Sequence, residues 1–121
     1  MKSLDLDAGI AFPEQLALDV GPIVLINRLQ CDPADVDQLV RCYREDSMFM
    51  KRQPGFISAQ LHRGVGASTT FVNVAVWEST GALRAAVTSP EFQAHLATYP
   101  PSTTAAPHVF TRMAVRGVCT A

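Results

Sequence analysis

Four stretches of the chain alternate or run apolar in the way strands do. PIVLINRLQ, residues 22–30, is bounded by Pro22 on one side and by Cys31-Asp32-Pro33 on the other, which predicts a first strand. Alternation puts Leu25, Asn27 and Leu29 on one of its faces. FISAQLHR (56–63) and TTFVNVAVW (69–77) flank the turn residues GVGAS, the pattern of an antiparallel hairpin. In the second of these, Phe71, Asn73, Ala75 and Trp77 share one face and Val72, Val74 and Val76 the other. HVFTRMAVR, residues 108–116, alternates as a last strand, with Val109, Thr111, Met113 and Val115 opposed to His108, Phe110, Arg112 and Ala114.

Between the strands the period changes to that of helices. Asp32, Pro33 and Asp35 supply a cap oxygen, a first-turn proline and negative charge at the positive end of a helix dipole. Val36, Leu39, Val40, Tyr43, Ser47 and Met50 then recur at spacings of three and four, with Asp37, Arg41, Arg44, Glu45 and Lys51 mostly opposite. QPGF ends this long helix, since Pro54 disfavours helical geometry at Gln53 and Gly55 is free to take positive φ. STGALRAAV predicts a short helix, SPEFQAHLA another with Ser89 as cap and Pro90 in its first turn, and YPPSTTAAP a loop. Residues 1–21, interrupted by Gly9, Pro13 and Gly21-Pro22, read as an arm before the fold. Nothing in them separates covering a partner, closing a pocket or staying disordered.

The resulting order is β-α-β-β-α-α-β. Two interleaved strand-helix-strand units give an α+β, ferredoxin-like fold: a four-stranded antiparallel sheet with helices on one face. Its first and third strands are the central pair, so Asn27 and Asn73 fall on neighbouring strands. The valine-rich face left bare predicts a partner sheet, hence a homodimer.

Composition narrows the function classes. At 121 residues there is room for one domain, and 48% hydrophobic content supports a core. A net charge of −1 without a basic block lacks the footprint of a nucleic-acid binder. Cys31, Cys42 and Cys119 are odd in number and without CxxC spacing, the pattern of reduced cytoplasmic thiols, with Cys42 packed under its helix. The N-terminal residues carry acids where a leader needs basic residues, and no stretch is long enough for a membrane span, so a soluble cytoplasmic protein is expected.

Common catalytic devices are missing. GVG lies in a hairpin and is no nucleotide fingerprint, no GxSxG occurs, and His62, His95 and His108 lack metal-ligand spacing. What stands out is a polar and aromatic lining made of Asn27, Asn73 and Trp77, with Phe49, Leu83, Phe92 and His95 as walls. A single inward asparagine is readily explained by a loop carbonyl, and a tryptophan by core packing. Two inward asparagines on adjacent central strands bring four amide hydrogen-bonding groups into the middle of the fold, and either the protein or a ligand must answer them.

VLINRLQCDPADVDQLV, QPGFISAQLHR, FVNVAVWEST, SPEFQAHL and HVF together resemble the antibiotic biosynthesis monooxygenase family over residues 22 to about 116, leaving 117–121 as a tail. The PGF after the first long helix and the N-x-x-x-W strand carry most of the likeness. Within the family the chain is similar to cofactor-independent anthrone monooxygenases, which as homodimers, in a dimeric α/β barrel, oxidise aromatic polyketide intermediates to quinones. The resemblance implies dioxygen as co-substrate and no metal, and it places catalytic roles on Asn27, Asn73 and Trp77. Leu83 stands where some relatives carry a tyrosine. The haem-degrading branch fits less well, because its second tryptophan falls on Ala86 and its histidine is one step from His95. Two other readings remain at the level of sequence: a polyketide cyclase or isomerase, and a non-catalytic dimeric module that binds an aromatic ligand.

Overall fold

The computed structural model describes residues 1–121. Its elements are β1 (Lys2–Ser3), α1 (Phe12–Leu16), β2 (Ile23–Gln30), a 3-10 turn (Pro33–Asp35) leading into α2 (Val36–Met50), β3 (Phe56–Arg63), β4 (Thr70–Trp77), α3 (Thr80–Val87), α4 (Pro90–Leu96) and β5 (Thr104–Phe110). The sheet order is β1-β5-β2-β4-β3, antiparallel throughout except for the short parallel β1–β5 pair. The ferredoxin-like core is therefore as expected, with β2 and β4 central, and β1 adds a fifth strand at its edge.

Local chemistry explains the boundaries. Gly55 takes a φ of +88°, and its carbonyl accepts from the Glu78 N–H, tying the α2–β3 turn to the end of β4. Ser79 and Ser89 cap α3 and α4, accepting from the N–H groups of Ala82 and Phe92. Asp32 makes no side-chain cap; instead the Ser102 hydroxyl accepts from its N–H and donates to Asp35.

The last strand differs from the sequence reading, beginning at Thr104 within the expected loop and ending at Phe110 rather than at Arg116. The proline that made 99–107 look like a loop is harmless where it lies. The N–H and C=O of alternate β5 residues point away from β2: Thr103 and Ala105 accept from Lys2 and Leu4 of the arm, and Val109 bonds Gln15. Pro107 is in step with these, so its missing N–H falls on the outer edge and breaks no bond to β2.

The arm is consequently part of the packed structure. Gln15 reads the β5 edge as a strand would, with Nε2 donating to the Val109 carbonyl and Oε1 accepting from the Val109 N–H, both at 2.9 Å. Leu16 is buried in the core, its carbonyl accepts from Arg84, and Thr80 donates to the Leu18 carbonyl.

The face of α2 is also turned from the expected one. Its buried positions are Val36, Leu39, Cys42, Asp46, Phe49 and Met50, whereas Val40 is exposed and Tyr43 half-buried. Cys42 lies under the helix as anticipated. Asp46, a carboxylate, takes a place on the buried stripe.

The core comes in two parts. One cluster holds Leu16, Ile23, Leu25, Phe49, Met50, Ala75, Trp77, Leu83 and Ala86, and the other Leu29, Cys31, Val36, Leu39, Cys42, Phe71, Tyr99 and Ala105. Along β2 the sequence passes from one cluster to the other through Asn27, along β4 through Asn73, and along α2 through Asp46. These three residues mark a polar layer that divides the apolar interior.

Candidate active site

The polar layer opens into a cavity of about 620 Å³ between the sheet and α2 and α4, within the ~300–1,000 Å³ of small-molecule sites. Its floor comes from β2, β4 and β5, including Leu25, Asn27, Asn73, Ala75, Trp77 and Pro107. Helical residues Tyr43, Asp46, Ser47, Met50, Phe92 and Leu96 face them, with Tyr99 just beyond α4. The arm contributes Met1, Ser3, Phe12, Pro13 and Leu16 to the same wall.

Asn27 and Asn73 are direct partners in the antiparallel β2–β4 register, so their side chains stand side by side. Their hydrogen bonding differs. The Tyr43 hydroxyl donates to Asn73 Oδ1 at 3.0 Å, while Asn27 Oδ1 is buried with no partner. Holding the Asn73 oxygen through Tyr43 fixes which end of the amide turns to the cavity, leaving its NH2 group to donate. An unanswered acceptor beside it is costly in a closed core, at about 1–3 kcal/mol. It is useful where a ligand brings a donor.

Across the cavity, the Tyr99 hydroxyl donates to one Asp46 carboxylate oxygen, and Ser47 donates to the other at 3.2 Å. Burial pushes the Asp46 carboxyl up to about 6, against the opposing pull of Tyr99, Ser47 and the nearby His95, all of which favour the charged form. Burial, followed by the Asp46 charge, holds the Tyr99 phenol well above its ordinary range. Tyr43 is likewise raised, mainly by burial.

Of the seven residues singled out in the sequence, Asn27, Asn73, Trp77 and Phe92 line the cavity. Trp77 is almost wholly buried at the end of the floor, with Phe56 edge-on to it at 5.4 Å between centroids. Phe49, Leu83 and His95 do not reach the cavity wall. Leu83 is fully buried in the core, and Phe49 packs between Phe92 and His95, with ring centroids 6.4 and 6.2 Å away, as a backing to the wall. At these places on α2 and α4 the residues that reach the wall are Met50 and Leu96, each the next after Phe49 and His95, and from α3 it is Val87. Asp46, Tyr43 and Tyr99, the ionisable side chains of the lining, were not assigned to the site from sequence. Tyr43 had a signal, its place on the α2 stripe; Asp46 was placed on neither face of the helix, and Tyr99 fell in the expected loop.

The sequence profile of the antibiotic biosynthesis monooxygenase family matches residues 22–98. The chain belongs to this family. Its monooxygenase relatives include deoxynogalonate monooxygenase of Streptomyces nogalater, 30% identical over 80 residues, which are 64% of this chain and 65% of that protein. The chain thus spans about two thirds of that relative's length. Among solved structures, SnoaB, a cofactor-independent oxygenase from Streptomyces nogalater, superposes with a TM-score of 0.69 at 26% identity, covering 81% of this chain and 99% of SnoaB. A conserved protein from Methanosarcina mazei shares the fold alone, with a TM-score of 0.65 at 12% identity over 76% of this chain and 93% of its own. The family match begins at Pro22, so the arm that walls one side of the cavity lies outside it.

Proposed function

We propose that this member of the antibiotic biosynthesis monooxygenase family is a cofactor-independent oxygenase that converts an anthrone-type aromatic polyketide intermediate to a quinone with dioxygen. The observation that carries this reading is the polar layer itself: two adjacent amides set into the otherwise apolar floor of the cavity, one of them with an unanswered acceptor. A flat polycycle carrying a carbonyl and a phenolic hydroxyl matches it. The Asn73 NH2 donates to the carbonyl oxygen, Trp77 packs the ring edge, and the hydroxyl donates to Asn27 Oδ1 once the amide turns that enclosed atom toward the cavity. The likeness to SnoaB supports the same chemistry.

An anthrone supplies its own electrons. Loss of a methylene proton gives an extended enolate whose charge gathers on the carbonyl oxygen, where a fixed amide donor is worth more in the transition state than in the ground state. One electron passes to dioxygen, the radical pair combines at the former methylene carbon, and the hydroperoxide loses water to leave the quinone. One oxygen atom enters the product and the other leaves as water.

The outer face of the sheet supports a homodimer. Val24, Ile26, Val72, Val74 and Val76 are only half-buried there, and Phe110 is 37% exposed at the rim. A dimer fits this surface, and no helix is long and apolar enough to cross a membrane.

The test is dithranol oxidation under isotopically labelled dioxygen by protein stripped of metal and flavin. Quinone carrying one labelled oxygen, formed faster than in buffer alone, is the expected result. Ligand binding or rearrangement without oxygen uptake would instead point to a binding module, a cyclase or an isomerase.

A further inference from the structure

Proton removal needs an acceptor, and the cavity wall offers few. Its lining includes the ionisable side chains of Tyr43, Asp46 and Tyr99, and no histidine, lysine, arginine or cysteine. Both tyrosines keep their protons at neutral pH, leaving Asp46 as the one side chain on the wall that accepts a proton there. It is 7% exposed, on the α2 turn that faces the Asn27–Asn73 pair across the same space.

We propose that Asp46 is the general base of the reaction, with Tyr99 as the residue that positions it. The proposal rests on the anthrone reading above. In this step the methylene C–H bond breaks, its proton forms an O–H bond with an Asp46 carboxylate oxygen, and the electron pair stays on the substrate as the enolate. After oxygen has added, the same proton passes to the peroxide, and Asp46 returns to its starting state. Base and oxyanion donor thus sit on opposite walls, α2 and the β2–β4 floor, which suits a flat substrate presenting its carbonyl to one and its methylene to the other.

The surroundings of Asp46 agree with this role. Tyr99 holds one carboxylate oxygen, and Ser47, its own neighbour on α2, touches the other. From α4, His95 acts on it through charge; on α2 the other titratable neighbours are Tyr43 and Cys42, and the sheet floor presents amides and apolar groups. A buried carboxylate that Tyr99 and Ser47 hold at the wall of a cavity is poised to take a proton close to neutral pH. His95, which lies behind Phe49 and off the cavity wall, has no comparable access.

Exchange of the dithranol methylene protons in heavy water, with oxygen excluded and proton NMR as readout, isolates this step from oxygenation. Wild-type protein should speed loss of the methylene signal, and Asp46→Asn, which keeps the side-chain shape and an acceptor for Tyr99, should slow that exchange about 100-fold. Equal exchange by both proteins, or none above buffer by the wild type, overturns the assignment. Exchange that the wild type speeds and Asp46→Asn slows, without aerobic quinone formation, would keep Asp46 as base and overturn the oxygenase reading instead. Tyr99→Phe provides the positioning test: it should move the acid limb of the kcat/KM profile to higher pH by removing a donor to the charged carboxylate. An unmoved limb would show that Tyr99 serves packing alone.

Discussion

Asn27 and Asn73 face each other across one rung of the β2–β4 ladder, yet only Asn73 has its side-chain oxygen satisfied. The pair is thus asymmetric in what it offers a ligand: a buried acceptor from Asn27, and a donor from Asn73 whose orientation Tyr43 sets. The same asymmetry separates the consequences of removing each residue.

Asn73→Ala should lower kcat by about 100-fold, the loss typical of one oxyanion donor, or roughly 3 kcal/mol. It should also destabilise the fold by about 1–2 kcal/mol, since the Tyr43 hydroxyl loses its acceptor. Asn27→Leu should cut activity while leaving stability equal or higher by about 1 kcal/mol, because it removes an unanswered polar atom from the interior. Urea unfolding of the two variants beside their kinetics checks the contrast; equal destabilisation by both would contradict it.

Asp46 makes stability depend on pH. Its folded pKa is raised from the ordinary 3.8 to about 6, so the native state holds a proton that the unfolded chain has already lost. Below about pH 4 both states are protonated and no cost arises. Stability then falls as pH rises from about 4 to 6, and above that the charged carboxylate costs about 3 kcal/mol in full. Asp46→Asn should accordingly raise Tm at pH 7.5 and lose that advantage towards pH 4, read by thermal melts across the range. The gain in stability would accompany the loss of proton exchange, as befits a residue retained for chemistry.

Gln15 is the clasp of the arm. Gln15→Ala removes a donor and an acceptor to the Val109 backbone and a contact of 3.2 Å to His108 Nε2, leaving the β5 edge unpaired. A loss of about 2 kcal/mol is expected. Because Phe12, Pro13 and Leu16 wall the cavity, KM for dithranol should rise more than kcat falls; hydrogen exchange of residues 1–20 and steady-state kinetics measure the two effects.

The outer sheet face supplies a fourth test. Val74 lies at its middle on β4, flanked by Val72 and Val76 on the strand and Ile26 across the ladder. Val74→Arg should leave a folded chain, since the position touches no core cluster, but should convert a dimer to monomer by multi-angle light scattering. A monomeric wild type would contradict the dimer.

Much of this was legible in the sequence because periodicity reports burial. The alternation in β2 and β4 put Asn27, Asn73 and Trp77 on one face, and the resemblance of those residues to the family named them as a site. What escaped detection escaped for physical reasons. Asp46 is a carboxylate on a helix, which by itself reads as solvent, and only the true phase of α2, set by Cys42 and Phe49, turns it inward. Pro107 masked the start of β5, since a proline spoils a central ladder but not an outer edge, and that distinction depends on the sheet's neighbours. Gln15 and the arm show no long-range signal, because two side-chain bonds to a distant backbone leave no pattern in the residues between.

The most direct measurement is the oxygen-electrode trace of metal-free and flavin-free wild type against Asn73→Ala, each with dithranol and with the visible spectrum of the quinone recorded alongside. Uptake by the wild type above the spontaneous rate, one dioxygen per quinone, falling about 100-fold in the variant, is the expected result. Traces that match the enzyme-free rate, or wild type and variant that consume oxygen equally, would contradict catalysis at the paired amides.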